Sequence, residues 1–276
     1  MARQKRIALI NDITGFGRCS VTVQLPLISA MRVQACPLPT AILSVHTGFP
    51  NHYLDDYTER MRPYMENWAA NALEFDAILT GFLGSERQIE VVLECIARFK
   101  QRHTQLVVDP VMGDNGSLYS SYTPALCAKM RQLLPQADVV TPNLTEACQL
   151  LGTDYPTGGL VTEDELAQMA AAIAAMGPRA VIITGLHADE NVRTYLYADG
   201  CGRSFDNPKV GRDRSGAGDA FSAIIAAALV RGISLAEGVP RAADFIGHCL
   251  TYAEELDLPW NHGLPFEEFM GELTAL

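Results

Sequence analysis

One stretch of this chain combines two features that oppose each other electrostatically. Ser215-Gly216-Ala217-Gly218-Asp219 sets two glycines one residue apart, directly before an alanine-rich apolar run through Ile224, Ile225 and Leu229. Glycines at that spacing let the backbone turn tightly into a helix. The first helical N–H groups then face one spot, where the helix dipole adds about half a positive charge. Such a spot binds anions, phosphate among them. Asp219 does not belong there on electrostatic grounds, since its carboxylate repels what the helix start attracts. The placement makes sense if Asp219 takes a proton from a group attacking the bound phosphate. Taken by itself, the segment reads equally well as an ordinary N-cap.

Other residues join the same chemistry. No Gly-Lys pair occurs anywhere, so the common phosphate-binding loop is excluded and any nucleotide must be held differently. Asp109, Asp114 and Glu146 offer hard oxygen ligands that suit magnesium, directly or through water, while the ion bridges to ATP phosphates. Asp114 alone reads as a solvated acid.

These residues need a frame to bring them together. Short apolar runs alternate with helical patterns: Ile7–Asn11, Ala41–Leu43 continuing to Gly48, Ala77–Thr80, Gln105–Asp109, Val139–Thr141 and Ala180–Thr184 read as buried strands. Helices are expected at about Leu54–Asn71, Ser85–Lys100, Thr123–Leu134, Leu235–Leu256 and Pro265–Leu273. Another, at Thr162–Met176, follows a Thr-x-x-Glu capping box. Gly15-Phe16-Gly17-Arg18 reads as a turn into a helix, and Thr194–Tyr197 with Arg203–Asn207 as an antiparallel extension of the sheet. This pattern predicts an α/β fold, a doubly wound and mainly parallel sheet with helices on both faces. Ligands in such sheets lie beyond the carboxyl ends of the strands. Asp12, Thr47, Phe82, Asp109, Asn143 and Thr184 each close a predicted strand and would share one rim.

Composition bounds the remaining possibilities. At 276 residues and 48% hydrophobic content, one domain spanning 1–276 suffices. A net charge of −11 with only four lysines argues against nucleic acid. Seven scattered cysteines without a C-x-x-C pair read as buried thiols. The apolar run after Arg6 is too short for a signal peptide, and none is long enough to span a membrane, so a cytoplasmic protein is expected. Gly15-Phe-Gly17-Arg18-Cys19-Ser20 fails the dinucleotide fingerprint, with Ser at the last glycine position and no acid near position 38, which weakens a dehydrogenase reading.

Asp109-Pro-Val-Met-Gly-Asp114, Thr141-Pro-Asn143-Leu-Thr-Glu146, Ser44-Val-His46-Thr47-Gly48-Phe49 and Ser215-Gly-Ala-Gly-Asp219 together resemble the motifs of pyridoxal (vitamin B6) kinases of the ribokinase superfamily. The resemblance runs from about Ile7 to the helices after Asp219. It implies a ribokinase-like fold, ATP and Mg2+ as cofactors with a monovalent cation as a further candidate, a B6 vitamer as substrate and a homodimer. By position, Asp219 resembles the base that deprotonates the 5′-hydroxymethyl group, with Gly216, Ala217 and Gly218 as the anion hole. Asp109, Asn143 and Glu146, joined by Asp114, resemble the phosphate and metal network. Thr184 and Gly185 resemble triphosphate-lining positions, and Val210, Arg212 and Ser215 lie in the segment expected near the nucleotide. Asp12, His46, Thr47 and Phe82 resemble pyridine-pocket positions.

Asp12 departs from the B6 pattern, which often has Ser there, and is similar to the Asp of hydroxymethylpyrimidine and sugar kinases. Pyrimidine kinases in turn carry Cys where this chain has Asp219 and lack the His-Thr-Gly segment. A hydroxymethylpyrimidine kinase and a non-catalytic B6 or nucleotide binder are the alternatives. An intact Asp219 argues against the binder, which needs no base.

Overall fold

A computed structural model describes residues 3–274; positions 1, 2, 275 and 276 of the expected single domain lie outside the described residues. In chain order the elements are β1 (Arg6–Phe16), α1 (Val21–Ala30), β2 (Gln34–Val45), β3 (Leu54–Asp56), α2 (Thr58–Ala70), β4 (Ala77–Thr80), α3 (Glu86–Phe99) and β5 (Gln105–Val108). Then come a small hairpin of β6 (Gly113–Asp114) and β7 (Ser117–Leu118), α4 (Pro124–Met130), β8 (Val139–Val140), α5 (Leu144–Leu151) and α6 (Glu163–Ala174). The chain closes with β9 (Ala180–Ala188), β10 (Asn191–Ala198), β11 (Cys201–Pro208), α7 (Ala217–Val230), α8 (Leu235–Glu255) and α9 (Met270–Thr274).

Nine strands form one sheet in the order β11-β10-β9-β8-β5-β4-β1-β2-β3. The six strands from β9 to β2 are parallel, while β10 and β11 at one edge and β3 at the other are antiparallel. Alternation along each strand divides the apolar residues between two cores. Ala8, Ile10, Ile78, Leu106 and Val108 face one core, built with α2 to α6. Ile7, Leu9, Ala77, Leu79 and Val107 face the other, built with α1, α7, α8 and α9. This is the mainly parallel sheet with helices on both faces that the sequence pattern predicts.

Several local expectations are corrected, beginning with Asp12, which lies inside β1 and does not close it. Gly15 and Phe16 belong to β1 and not to a turn, because β1 and β2 stay paired as far as Phe16 and Val45, beyond the ends of their neighbours. Leu54–Asp56 is a strand against β2; α2 begins only at Thr58, where the Asp56 carboxylate accepts the Thr58 N–H at 2.7 Å. The helix expected over Thr123–Leu134 gives way to a 3-10 turn at Arg131–Gln136, which holds Pro135, and Pro265–Leu273 likewise divides between a 3-10 turn and α9. Thr184 does not end its strand: β9 continues to Ala188 across a bulge in which Gly185 takes φ 67°. Among the described residues no helix is long and apolar enough to cross a membrane.

Candidate active site

Asp219 lies in the first turn of α7, behind the N-cap Gly216 at φ 86°. A Cβ on Gly216 would overlap the Arg18 carbonyl oxygen, so glycine is what allows the start of α7 to lie on the turn between β1 and α1. Arg18 and Ser20 in that turn have φ 46° and 56°, a region that costs a non-glycine residue about 1–3 kcal/mol. The conformation aims the Ser20 N–H at Asp219 Oδ2, 2.7 Å away. Oδ1 accepts from Asn11 Nδ2 at 3.0 Å. Loss of solvent around the carboxylate, with the charge of Asp12 adding to it, outweighs those two donors and pushes Asp219 up to about 6. The N–H groups of Gly218 and Asp219 are first-turn groups without a helical acceptor, and a Cβ built on Gly218 meets nothing within 4 Å. The space in front of this helix start is open.

Asn143 and Glu146 stand beside this point at the start of α5. Asn143 Oδ1 accepts the Glu146 N–H at 2.9 Å and Glu146 Oε2 accepts the Asn143 N–H at 2.8 Å, a reciprocal cap. Glu146 Oε1 also takes the Met112 N–H at 3.1 Å, and Asn143 Nδ2 donates to the Gly113 carbonyl at 2.8 Å, which ties the β6–β7 hairpin to α5. The hairpin is held further by the Gly116 N–H on Thr145 Oγ1. Asp109 follows β5 between the ends of β4 and β8. Burial above all, then the charges of Glu146 and Asp219, pushes its carboxyl well above the usual range. Burial does the same to Glu146, up to about 8, against its backbone donors. The flanking hydroxyls of Thr80 and Thr141 are buried without a hydrogen-bond partner.

Among the described residues, no three His, Cys, Asp or Glu side chains converge closely enough to hold a metal by themselves. Asp109, Glu146 and the hairpin's Asp114 therefore do not make an all-protein cage. They fit magnesium shared with phosphate oxygens and water, since the raised carboxyls of Asp109 and Glu146 and the orphaned hydroxyls of Thr80 and Thr141 are what such a group would satisfy.

Next to Asn11, Asp12 is buried and its carboxyl raised by that burial, although Thr14 Oγ1 donates to Oδ2 at 2.6 Å. Phe82 is half-buried, edge-on to Tyr122, with its N–H on Asn11 Oδ1 at 2.8 Å. His46 has a task the sequence did not suggest. Its Nδ1 accepts the Gly48 N–H, which leaves Nε2 protonated and donating to the Asn261 carbonyl at 2.8 Å. Both ring nitrogens are thus committed to backbone groups, alongside Phe49 and Trp260. Thr47 lies exposed on the same turn.

Thr184 is joined to Asn143 by an isolated bridge, so the middle of β9 meets the start of α5 just beyond the end of β8. Val210, Arg212 and Ser215 occupy the loop before α7. Arg214 anchors that loop, donating to the Leu258 and Pro259 carbonyls and to Glu254. Sequence reasoning missed Asn11, Ser20 and Gln24. The polar Asn11-Asp12 pair interrupting an apolar run was a signal for Asn11; Ser20 and Gln24 had none that local pattern could supply.

The chain belongs to the phosphomethylpyrimidine kinase family, whose profile matches residues 24–263. It is a kinase of this family with a ribokinase-like fold. A protein from Bacteroides thetaiotaomicron VPI-5482, described as a candidate phosphomethylpyrimidine kinase and crystallised in one form with pyridoxal, is 35% identical in that form, with a TM-score of 0.92 over 99% of this chain and 96% of its own. Pyridoxal kinase from Lactobacillus plantarum is 27% identical, with a TM-score of 0.90 over 99% and 98% of the two chains. The thiamine biosynthetic bifunctional enzyme TH1 of Arabidopsis thaliana is 32% identical over 260 residues; the match covers 91% of this chain and 47% of that enzyme, so the chain spans about half its length.

Proposed function

We propose that this kinase transfers the γ-phosphoryl group of ATP to the 5′-hydroxymethyl group of a B6 vitamer, with Asp219 as the general base. The observation that carries the reading is Asp219 itself: a carboxylate at a helix N-terminus, oriented by two donors and pushed up to about 6, is basic enough to take a proton and still ionised near neutral pH. The substrate oxygen attacks the γ-phosphorus as its proton passes to Asp219, the bond from that phosphorus to the bridging oxygen breaks and ADP leaves, and the N–H groups at the start of α7 receive the charge on the transferring oxygens. Thr184, Gly185 and the loop of Val210, Arg212 and Ser215 would hold the rest of the nucleotide. Magnesium, when bound near Asp109, Asp114 and Glu146, would neutralise phosphate charge. Asp12, Phe82 and the wall that His46 braces would receive the pyridine.

The pyridoxal-bound Bacteroides relative supports a B6 substrate. A second reading, hydroxymethylpyrimidine kinase, is favoured by the family profile and by an acid at position 12. Release of ADP from ATP and magnesium in the presence of pyridoxal, pyridoxamine, pyridoxine or the aminopyrimidine alcohol separates them. Turnover on B6 vitamers with little on the pyrimidine is expected; turnover confined to the pyrimidine would replace the first reading by the second, and none on either would leave a binder. The homodimer that the B6 resemblance implies is tested by the mass of the protein in solution.

A further inference from the structure

Asn11 stands where β1 parts from β4 and its register with β2 shifts, with a fully buried carboxamide whose hydrogen bonds all have identified partners. Nδ2 donates to Asp219 Oδ1 at 3.0 Å and to Gln24 Oε1 at 3.0 Å. Oδ1 accepts the backbone N–H groups of Asp12 at 2.9 Å and Phe82 at 2.8 Å. These four contacts permit one orientation of the amide. Rotated by half a turn, it would set its oxygen against the Asp219 carboxylate and the Gln24 carbonyl, and its NH2 against two N–H donors. Gln24 is fixed from behind, since its Nε2 reaches Ser222 Oγ and that hydroxyl donates to the Asp219 carbonyl. Packing adds to the constraint: a Cβ at Gly81 would land on the Asn11 amide carbon.

We infer that Asn11, oriented by Gln24, is the positioning residue that sets the Asp219 carboxylate in register with the acceptor pocket. The inference rests on the reading of Asp219 as the base. One amide holds the base on one side and the backbone of Asp12 and Phe82 on the other, so it fixes the distance over which the proton must travel. With Ser20 N–H on Oδ2 and Asn11 on Oδ1, neither carboxylate oxygen can swing away from the acceptor. Without Asn11 the carboxylate keeps one tether and rotates about it. Misplacing a reacting group in this way lowers the rate of the chemical step while leaving nucleotide binding intact.

A double-mutant cycle tests the inference. Asn11→Leu should lower kcat by about 10- to 100-fold, the worth of one charge-assisted hydrogen bond in the transition state, with little change in the KM for ATP. In an Asp219→Ala background, where the partner is gone, the same substitution should cost almost nothing in single-turnover rate. Gln24→Met, which frees the amide without touching Asp219, should show the same dependence on background with a smaller cost, and it decides the question where Asn11→Leu fails to fold. Equal costs in both backgrounds would make Asn11 a packing residue and overturn the inference while leaving the base in place. Near wild-type kcat in Asp219→Ala alone would instead remove the base, a separate and recognisable outcome.

Discussion

Glu146 has both carboxylate oxygens engaged by backbone N–H groups, and one of those groups belongs to Asn143, whose side chain caps the same helix in return. The Asn-x-x-Glu motif is therefore first a structural device at the start of α5. Glu146→Gln removes one of two acceptors and the negative charge that Glu146 would carry above about pH 8 or with a cation bound. We expect a stability loss of about 1 kcal/mol in denaturant titration and a higher magnesium concentration for half-maximal rate. An unchanged magnesium titration would confine Glu146 to capping.

Asp219→Asn should keep ATP affinity and lose about 10²- to 10⁴-fold in kcat. The pH dependence has a defined sign: the base works ionised, so wild-type kcat should climb as pH rises through about 6 and level off above it. The asparagine variant should lack that limb. A limb at the same position in both proteins would assign it to another group.

Asp109 carries a penalty that the folded protein pays in the absence of ligand. Its carboxyl is raised by burial and by Glu146 and Asp219, so the charged form is the destabilised one. Stability from this group is fullest below about pH 4, where it is protonated folded or unfolded, and is lost as pH climbs through the raised value. Asp109→Asn should therefore raise the Tm of the ligand-free protein at pH 8 by about 2–4 °C and abolish most activity. A lower Tm would mean that Asp109 is compensated in a way the geometry does not contain.

Gly218 sits in α7 with ordinary helical backbone and open space where a Cβ would go. Gly218→Ala should stabilise the helix by about 0.5–1 kcal/mol. The added methyl would occupy room left for a phosphate, so kcat/KM for ATP should fall. A variant that is more stable and fully active would move the phosphate elsewhere.

Asp12 accepts hydrogen bonds and, when ionised, donates none, which favours an acceptor bearing an amine over an aldehyde. Asp12→Ser should shift kcat/KM toward pyridoxal relative to pyridoxamine, by about 10-fold or more if the contact is charge-assisted. Parallel losses on pyridoxal, pyridoxamine and pyridoxine would leave Asp12 without a part in selecting the vitamer.

The parallel frame was legible because its signal is local. Ala77–Thr80 and Gln105–Asp109 are continuous apolar runs closed by polar residues, and each is a strand ending at the rim, while the run Ile7–Asn11 is the first half of β1, which continues to Phe16. The capping box at Thr162 marked the start of α6 correctly. What stayed hidden depends on partners distant in sequence. Phe16 is half-exposed and reads as loop, yet it is strand because Val45 lies beside it. His46 reads as a ligand contact, while its nitrogens are filled by Gly48 and Asn261. Gln24 reads as one polar residue on an apolar helix, and only the arrival of Asn11 and Ser222 gives it a purpose.

The turn from Gly17 to Ser20 lies under two later segments: Gly216 rests on the Arg18 carbonyl and Gly263 on that of Gly17. Asp219 meets Asn11 and Ser20 across 208 and 199 residues of sequence. Contacts so distant form late, after the loop-closure entropy of nearly the whole chain has been overcome. A nascent chain that ends before Gly216, lacking its last sixty or so residues, can pair its parallel strands but has nothing to press that turn into shape. Truncation after β11 should accordingly yield a protein with much of its sheet and no organised centre, so that synthesis of the segment from Gly216 onward is the event that switches the molecule on.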